Sequence, residues 1–164
     1  MYHNDVTKND KALRKHLLYL LTEGGAHLDF DTAVKNMPFA LQGKRPKGGE
    51  HSPWELLEHL RITLWDILDF SRDPKHVSPA WPAGYRPAKQ APPDQKAWKK
   101  SAAAFRAHLK AMIKLVEDDS IDLFARIPHG DGQTVLREVL LAADHTAYHL
   151  GQLVEVRRAV GAWK

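Results

Sequence analysis

Three histidines of this 164-residue chain have the residue type and the spacing of a metal site. His145 and His149 are four residues apart, which on a helix places both imidazoles on one face, where they can bind the same ion. His59 lies in another segment, at the edge of its apolar side, and can supply a third nitrogen. Because the chain has ten histidines, such a pair also arises by chance, and the alternative is a packed or half-exposed pair without a metal.

Three neutral imidazole ligands would leave the full charge of a divalent ion in place and at least one coordination position free. Zinc in such a site can lower the pKa of water to about 7, and it can equally activate a thiolate. Zinc is the expected metal, although nickel, iron, manganese or cobalt could use the same nitrogens. Cysteine is absent, which excludes disulfides and thiolate ligands from the protein.

Two other polar residues lie near these histidines in the sequence and could assist the chemistry. Glu55, one turn before His59, could orient a ligand or accept a proton, but it also completes a capping box with Ser52, which is the role we favour. Gln152 follows His149 by three residues and could reach the site. Its alternatives are an ordinary surface position or a dimer contact.

Hydrophobic periodicity places all three histidines on long helices. The predicted helices cover residues 8–21, 52–71, 94–117 and 134–161, with one short helical turn at 31–36. No alternating pattern indicates a strand, so we expect an all-α four-helix bundle and one domain over residues 1–164. On the fourth helix the main buried face should contain Leu136, Val139, Leu140, Ala143, Leu150 and Val154, with both histidines to one side.

A long connection separates the second and third predicted helices. Residues 72–93 contain six prolines together with Trp81 and Tyr85, which predicts an ordered, non-helical crossover. We expect this crossover to cover one side of the metal cavity, with the two aromatic side chains as its apolar wall. The alternative role of Trp81 and Tyr85 is ordinary packing.

Two segments resemble the DinB/YfiT-like family of metal-dependent bundle proteins. Residues 54–60, WELLEHL, resemble its first ligand segment, and residues 145–153, HTAYHLGQL, resemble its paired-ligand helix. The similarity extends through Arg157-Arg158 to Gly161-Ala162-Trp163. The resemblance implies a four-helix bundle with a long crossover, a metal held by His59, His145 and His149, and frequent homodimers. Relatives include thiol S-transferases, thiol-dependent isomerases and hydrolases, so the resemblance does not fix the reaction.

These features predict a metalloenzyme of the thiol S-transferase or hydrolase type, with a small-molecule substrate and, for a transferase, a low-molecular-weight thiol. The alternative is a non-enzymatic metal- or ligand-binding module of a stress response. Nucleic-acid binding is disfavoured because the lysines of the third helix lack an aromatic platform or a reading motif.

Partners and location are predicted from weaker features. A homodimer is expected from the resemblance and from Trp54, Trp65 and Tyr148, which the helix patterns place on exposed sides. The chain begins with a polar segment and has no apolar stretch approaching about 18 residues, so we expect a cytoplasmic protein without a membrane span.

Overall fold

The computed structural model describes residues 2–23 and 25–163, with side chains from residue 8 onward. Within these residues the regular elements are all helical, as predicted. They are α1 (Tyr2–Thr22), α2 (Phe30–Val34), α3 (Phe39–Gln42), α4 (Pro53–Arg72), α5 (Ala97–Glu117) and α6 (Val135–Ala159), with a short 3₁₀ helix at Ala83–Tyr85. None of the described helices is both long and apolar enough to cross a membrane.

The helix boundaries follow local capping chemistry. Ser52 and Glu55 form the predicted capping box at the start of α4, and the Thr134 side chain accepts a hydrogen bond from the backbone of Arg137 at the start of α6. The predicted start of α5 at Asp94 was three residues early. The Asp94 carboxylate accepts hydrogen bonds from the backbone N–H groups of Lys96 and Ala97, which holds a turn before the helix. Helix α1 begins six residues earlier than predicted.

Four long helices pack around one apolar core. Helix α4 contacts both α5 and α6, and α1 contacts the same two helices. Most side chains with no measurable exposure come from α4, α5 and α6, among them Leu57, Leu60, Leu68, Phe105, Met112, Val139 and Leu153. Because α4 and α6 lie in contact, residues on their facing sides can form one site.

The buried face of α6 differs from the predicted one. Its buried residues are Val135, Glu138, Val139, Ala142, Leu150, Leu153, Val154 and Arg157, whereas Leu140 is 45% exposed. Two apolar sectors adjoin on this helix, and hydropathy does not tell which of them faces α4. The sector that is buried includes Ala142 and Leu153. The face of α6 that carries His145 and His149 therefore lies beside the core.

Candidate metal centre

The three predicted histidines converge between α4 and α6. The Nε2 atom of His59 lies 3.1 Å from Nε2 of His149 and 3.1 Å from Nε2 of His145. One ligand atom from each residue can be chosen so that all three lie within 4.8 Å of one another. All three side chains are half-buried. The helical spacing of four residues and the contact of α6 with α4 together produce this cluster.

Hydrogen bonds on the outer side of two rings determine where their protons are. Nδ1 of His59 donates to the backbone carbonyl of Tyr85 at 2.8 Å, and Nδ1 of His149 donates to the amide oxygen of Gln152 at 2.6 Å. Since both partner oxygens accept only, each neutral ring carries its hydrogen on Nδ1 and has an unshared electron pair on Nε2. The facing Nε2 atoms of His59 and His149 therefore repel each other unless a cation lies between them.

Burial keeps the three rings neutral. It lowers the pKa of His145 to about 3, with smaller contributions from the charges that His149 and His59 would carry. Burial also lowers the pKa of His149 to about 4, further assisted by repulsion from His59. For His59, burial lowers the pKa although the hydrogen bond to Tyr85 opposes the shift. At neutral pH all three rings are therefore in the protonation state that a metal requires.

The nitrogen spacing fits a metal ion. Two nitrogens that bind a tetrahedral zinc ion at about 2.0–2.1 Å lie roughly 3.3 Å apart, close to the 3.1 Å separations around His59. The Nδ1–H groups of His59 and His149 bind oxygen acceptors, which is the usual outer arrangement of histidine ligands. The donor set and its hydrogen bonds therefore fit a divalent ion of the first transition row.

A buried carboxylate fixes the part of the crossover that contacts His59. Asp66 of α4 is 8% exposed and accepts a hydrogen bond from the Tyr85 hydroxyl at 2.6 Å. Its second oxygen lies 2.7 Å from Nε2 of His76. Burial, together with the hydrogen bond and negative charge of Asp66, raises the pKa of Tyr85 to about 12. Asp66 thereby anchors the residue whose carbonyl orients His59.

Sequence reasoning missed this network. In the sequence, Asp66 lies outside the apolar side of α4, and His76 has no partner at the spacing of a ligand pair. Both partners of Asp66 come from the crossover, ten and nineteen residues further along the chain. The burial of a charged residue on α4 would have indicated this network. Local hydrophobic periodicity does not show that Asp66 is buried.

A cavity of about 490 Å³ lies against the three histidines. The crossover supplies Trp81, Pro82, Tyr85 and Arg86 to its wall, as predicted for the two aromatic residues. The helices supply the remaining lining residues, which are His59, Thr63, Asp66, Ile67, Leu141, Asp144, His145, Tyr148 and His149. Trp81 is 79% exposed and Tyr148 is 63% exposed, so these aromatic rings lie at the solvent side of the cavity.

The two candidate helper residues differ in position. Glu55 accepts a hydrogen bond from the backbone of Ser52, pairs with Arg45 and does not line the cavity, so the favoured capping role is confirmed. Gln152 contacts the site through Nδ1 of His149, and its amide nitrogen donates to the Tyr148 hydroxyl at 3.2 Å. Gln152 is thus placed to orient a ligand.

The aromatic residues considered for a dimer interface are not equally exposed. Tyr148 is exposed as expected and Trp65 is partly buried, but the prediction for Trp54 was wrong, since it is 6% exposed. Trp54 lies at the start of α4 and lines one surface pocket together with Pro93 and Ala97. Residues outside α4 are therefore close to Trp54, which the pattern of a single helix does not reveal.

Comparison with known proteins matches the chain to one protein family. A family model described as the DinB superfamily matches residues 26–153, which is most of the chain and includes all three histidines. No curated protein and no solved structure is significantly similar to the chain. The match agrees with the resemblance of residues 54–60 and 145–153 and with the all-helical fold.

Proposed function

This chain belongs to the DinB superfamily, and on that premise we propose that it is an enzyme that uses one divalent metal ion held by His59, His145 and His149. The proposed substrate is a small molecule, and the reaction is thiol S-transfer or hydrolysis. Zinc is the first metal to test. A low-molecular-weight thiol is the co-substrate if the reaction is a transfer.

One observation carries the proposal. Two unshared electron pairs, on Nε2 of His59 and Nε2 of His149, face each other at 3.1 Å because the outer nitrogens of both rings donate to oxygen acceptors. A half-buried arrangement of this kind is unfavourable without a cation and favourable with one. Family membership and the three-histidine cluster thus both fit a metal-binding role.

The protein's own residues would position and shield the reactants. Tyr85 and Gln152 accept hydrogen bonds from the rings of His59 and His149, while Trp81 and Tyr148 line the solvent side of the cavity. A bound ion would supply Lewis acidity toward a water molecule or a thiol. Asp144, an exposed carboxylate of the cavity wall, is available to accept a proton.

The alternative is a non-enzymatic metal- or ligand-binding module. A purely structural zinc site is usually closed by four protein ligands, whereas the candidate group among the described residues has three. The cavity beside these ligands also has room for a small molecule. Both observations favour the enzyme over the binding module.

Elemental analysis of the purified protein tests the proposal. We expect about one divalent ion per chain, and we expect His59→Ala, His145→Ala and His149→Ala each to lose most of it while the helical circular dichroism remains. His16→Ala is the matched control, because His16 is exposed on α1. Wild-type protein that stays metal-free after incubation with zinc, nickel, cobalt, manganese and ferrous ions would contradict the proposal.

The reaction type needs a separate screen. Metal-loaded protein would be incubated with an electrophile in the presence and absence of a small thiol, and in parallel with ester and amide substrates. Thiol-dependent turnover would identify a transferase, and turnover without thiol a hydrolase. No turnover with either set would favour the binding module.

We also propose a homodimer, supported by the family and by the exposed Tyr148. Sedimentation equilibrium should give about twice the 18.6 kDa chain mass. A monomer at high protein concentration would contradict this proposal.

A further inference from the structure

Arg86 brings a guanidinium group to the cavity that contains the three histidines. It follows Tyr85 in the crossover, is exposed to solvent and lines the cavity wall. Its Nη1 lies 3.0 Å from a ring nitrogen of His51, and it pairs with no carboxylate among the described side chains. Arg45 and Arg61, in contrast, each bind a glutamate.

Thr63 adds a polar group whose hydrogen-bonding capacity is unmet. It lies one turn after His59 on α4, is 8% exposed and lines the same cavity. Its hydroxyl is buried and has no hydrogen-bond partner among the described residues. Because buried hydroxyl groups nearly always have a partner, this one is free to bind a water molecule or a polar ligand in the cavity.

The charges around the cavity favour an anion once a divalent ion is present. Asp66 is already engaged by Tyr85 and His76, and Asp144 is exposed at the wall. These two negative charges are outweighed by the single charge of Arg86 and the double charge of the ion. Arg86 is the one lysine or arginine among the lining residues, which suits a singly charged carboxylate better than a doubly charged phosphate.

We propose that Arg86 determines substrate specificity by binding the carboxylate of a small anionic molecule whose other end reaches the three-histidine centre. The inference rests on the proposed metal function. A guanidinium group binds a carboxylate through two parallel hydrogen bonds, which fixes orientation as well as position. Trp81 and Tyr148 contact the apolar part of the molecule between its two ends.

A matched pair of thiols tests the proposal by binding rather than by activity. Cobalt-loaded protein is titrated with 3-mercaptopropionate and with 3-mercaptopropanol, and binding is followed by the thiolate-to-cobalt absorption band. We expect wild-type protein to prefer the carboxylate, and Arg86→Met to weaken binding of the carboxylate about fivefold while binding of the alcohol is unchanged. Arg86→Lys should retain part of the preference.

Arg126→Met is the control, because Arg126 is exposed and does not line this cavity. This variant should bind both thiols as wild-type protein does. Equal affinity of wild-type and Arg86→Met protein for 3-mercaptopropionate would overturn the role of Arg86 while leaving the metal site intact. If wild-type protein binds neither cobalt nor any of the other four ions, the proposed metal function itself is wrong.

Discussion

Acidification should destabilise the metal-free protein, because its three clustered histidines are neutral when folded. The pKa of His145 is about 3 in the folded chain and about 6.5 in the unfolded chain. Between these values the unfolded state binds the additional proton, so the free energy of unfolding rises with pH and falls as the pH is lowered from 6.5. The metal-free protein should therefore become less stable as the pH falls.

The size of the loss follows from the same pKa difference. At pH 5.0 the unfolded His145 ring is mostly protonated and the folded ring is not, which is equivalent to about 2 kcal/mol relative to pH 7.5. His149, whose pKa is about 4, gives a similar figure when it is treated alone. Since the rings are half-buried and interact with one another, we expect a total loss of about 2 kcal/mol rather than the sum of the two contributions.

Urea denaturation of chelator-treated protein at pH 7.5 and pH 5.0 measures this loss. The urea midpoint should fall by roughly 1 M at the lower pH for a typical urea slope. His145→Gln should have a smaller pH dependence, whereas His129→Gln, at an exposed position, should behave as wild-type protein. An unchanged or higher midpoint at pH 5.0 would refute the reasoning, since it would mean that the folded rings accept protons freely.

Substitutions at three positions test other parts of the structure. Tyr85→Phe removes a hydrogen bond to the buried carboxylate of Asp66, so the free energy of unfolding in urea should fall by about 1–2 kcal/mol; an unchanged value would mean that this contact does not stabilise the crossover. Gln152→Leu should weaken zinc binding about tenfold in a chelator competition, whereas Gln152→Glu, which keeps the acceptor, should not; equal affinities for the two variants would exclude the orienting role. Phe105→Ala removes a fully buried ring stacked on Phe30 and should cost about 3–5 kcal/mol in the same urea assay, and a loss below about 1 kcal/mol would contradict its place in the core.

Short-range patterns in the sequence were sufficient to predict the helical fold and the histidine cluster. The capping box of Ser52 and Glu55 depends on residues three apart, and the pairing of His145 with His149 on residues four apart. Both are properties of a single helix. The third histidine, His59, was added from its position at the edge of the apolar side of its own helix and from the resemblance to the DinB family, and the family match confirms that resemblance.

Contacts between distant segments were not predictable in the same way. Tyr85 and His76 bind the buried Asp66 from the crossover, and the buried Trp54 lies beside Pro93 and Ala97. The choice between two apolar sectors of α6 depends on how that helix is rotated against α4. Each of these features depends on packing between elements, which hydrophobic periodicity within one element does not record.

The hydrogen bond from His59 to the carbonyl of Tyr85 makes the centre depend on an irregular segment as well as on two helices. If the crossover opens locally, His59 loses the acceptor that fixes its ring. An ion that binds the closed form more tightly than the open form must lower the equilibrium constant for opening. By thermodynamic linkage, a saturating ion lowers it by the ratio of the two affinities. Amide hydrogen exchange around Tyr85 should therefore slow when metal binds. A substitution in the crossover that touches no ligand could then change metal affinity and cavity access together, so that evolution can adjust both by altering the stability of a single loop.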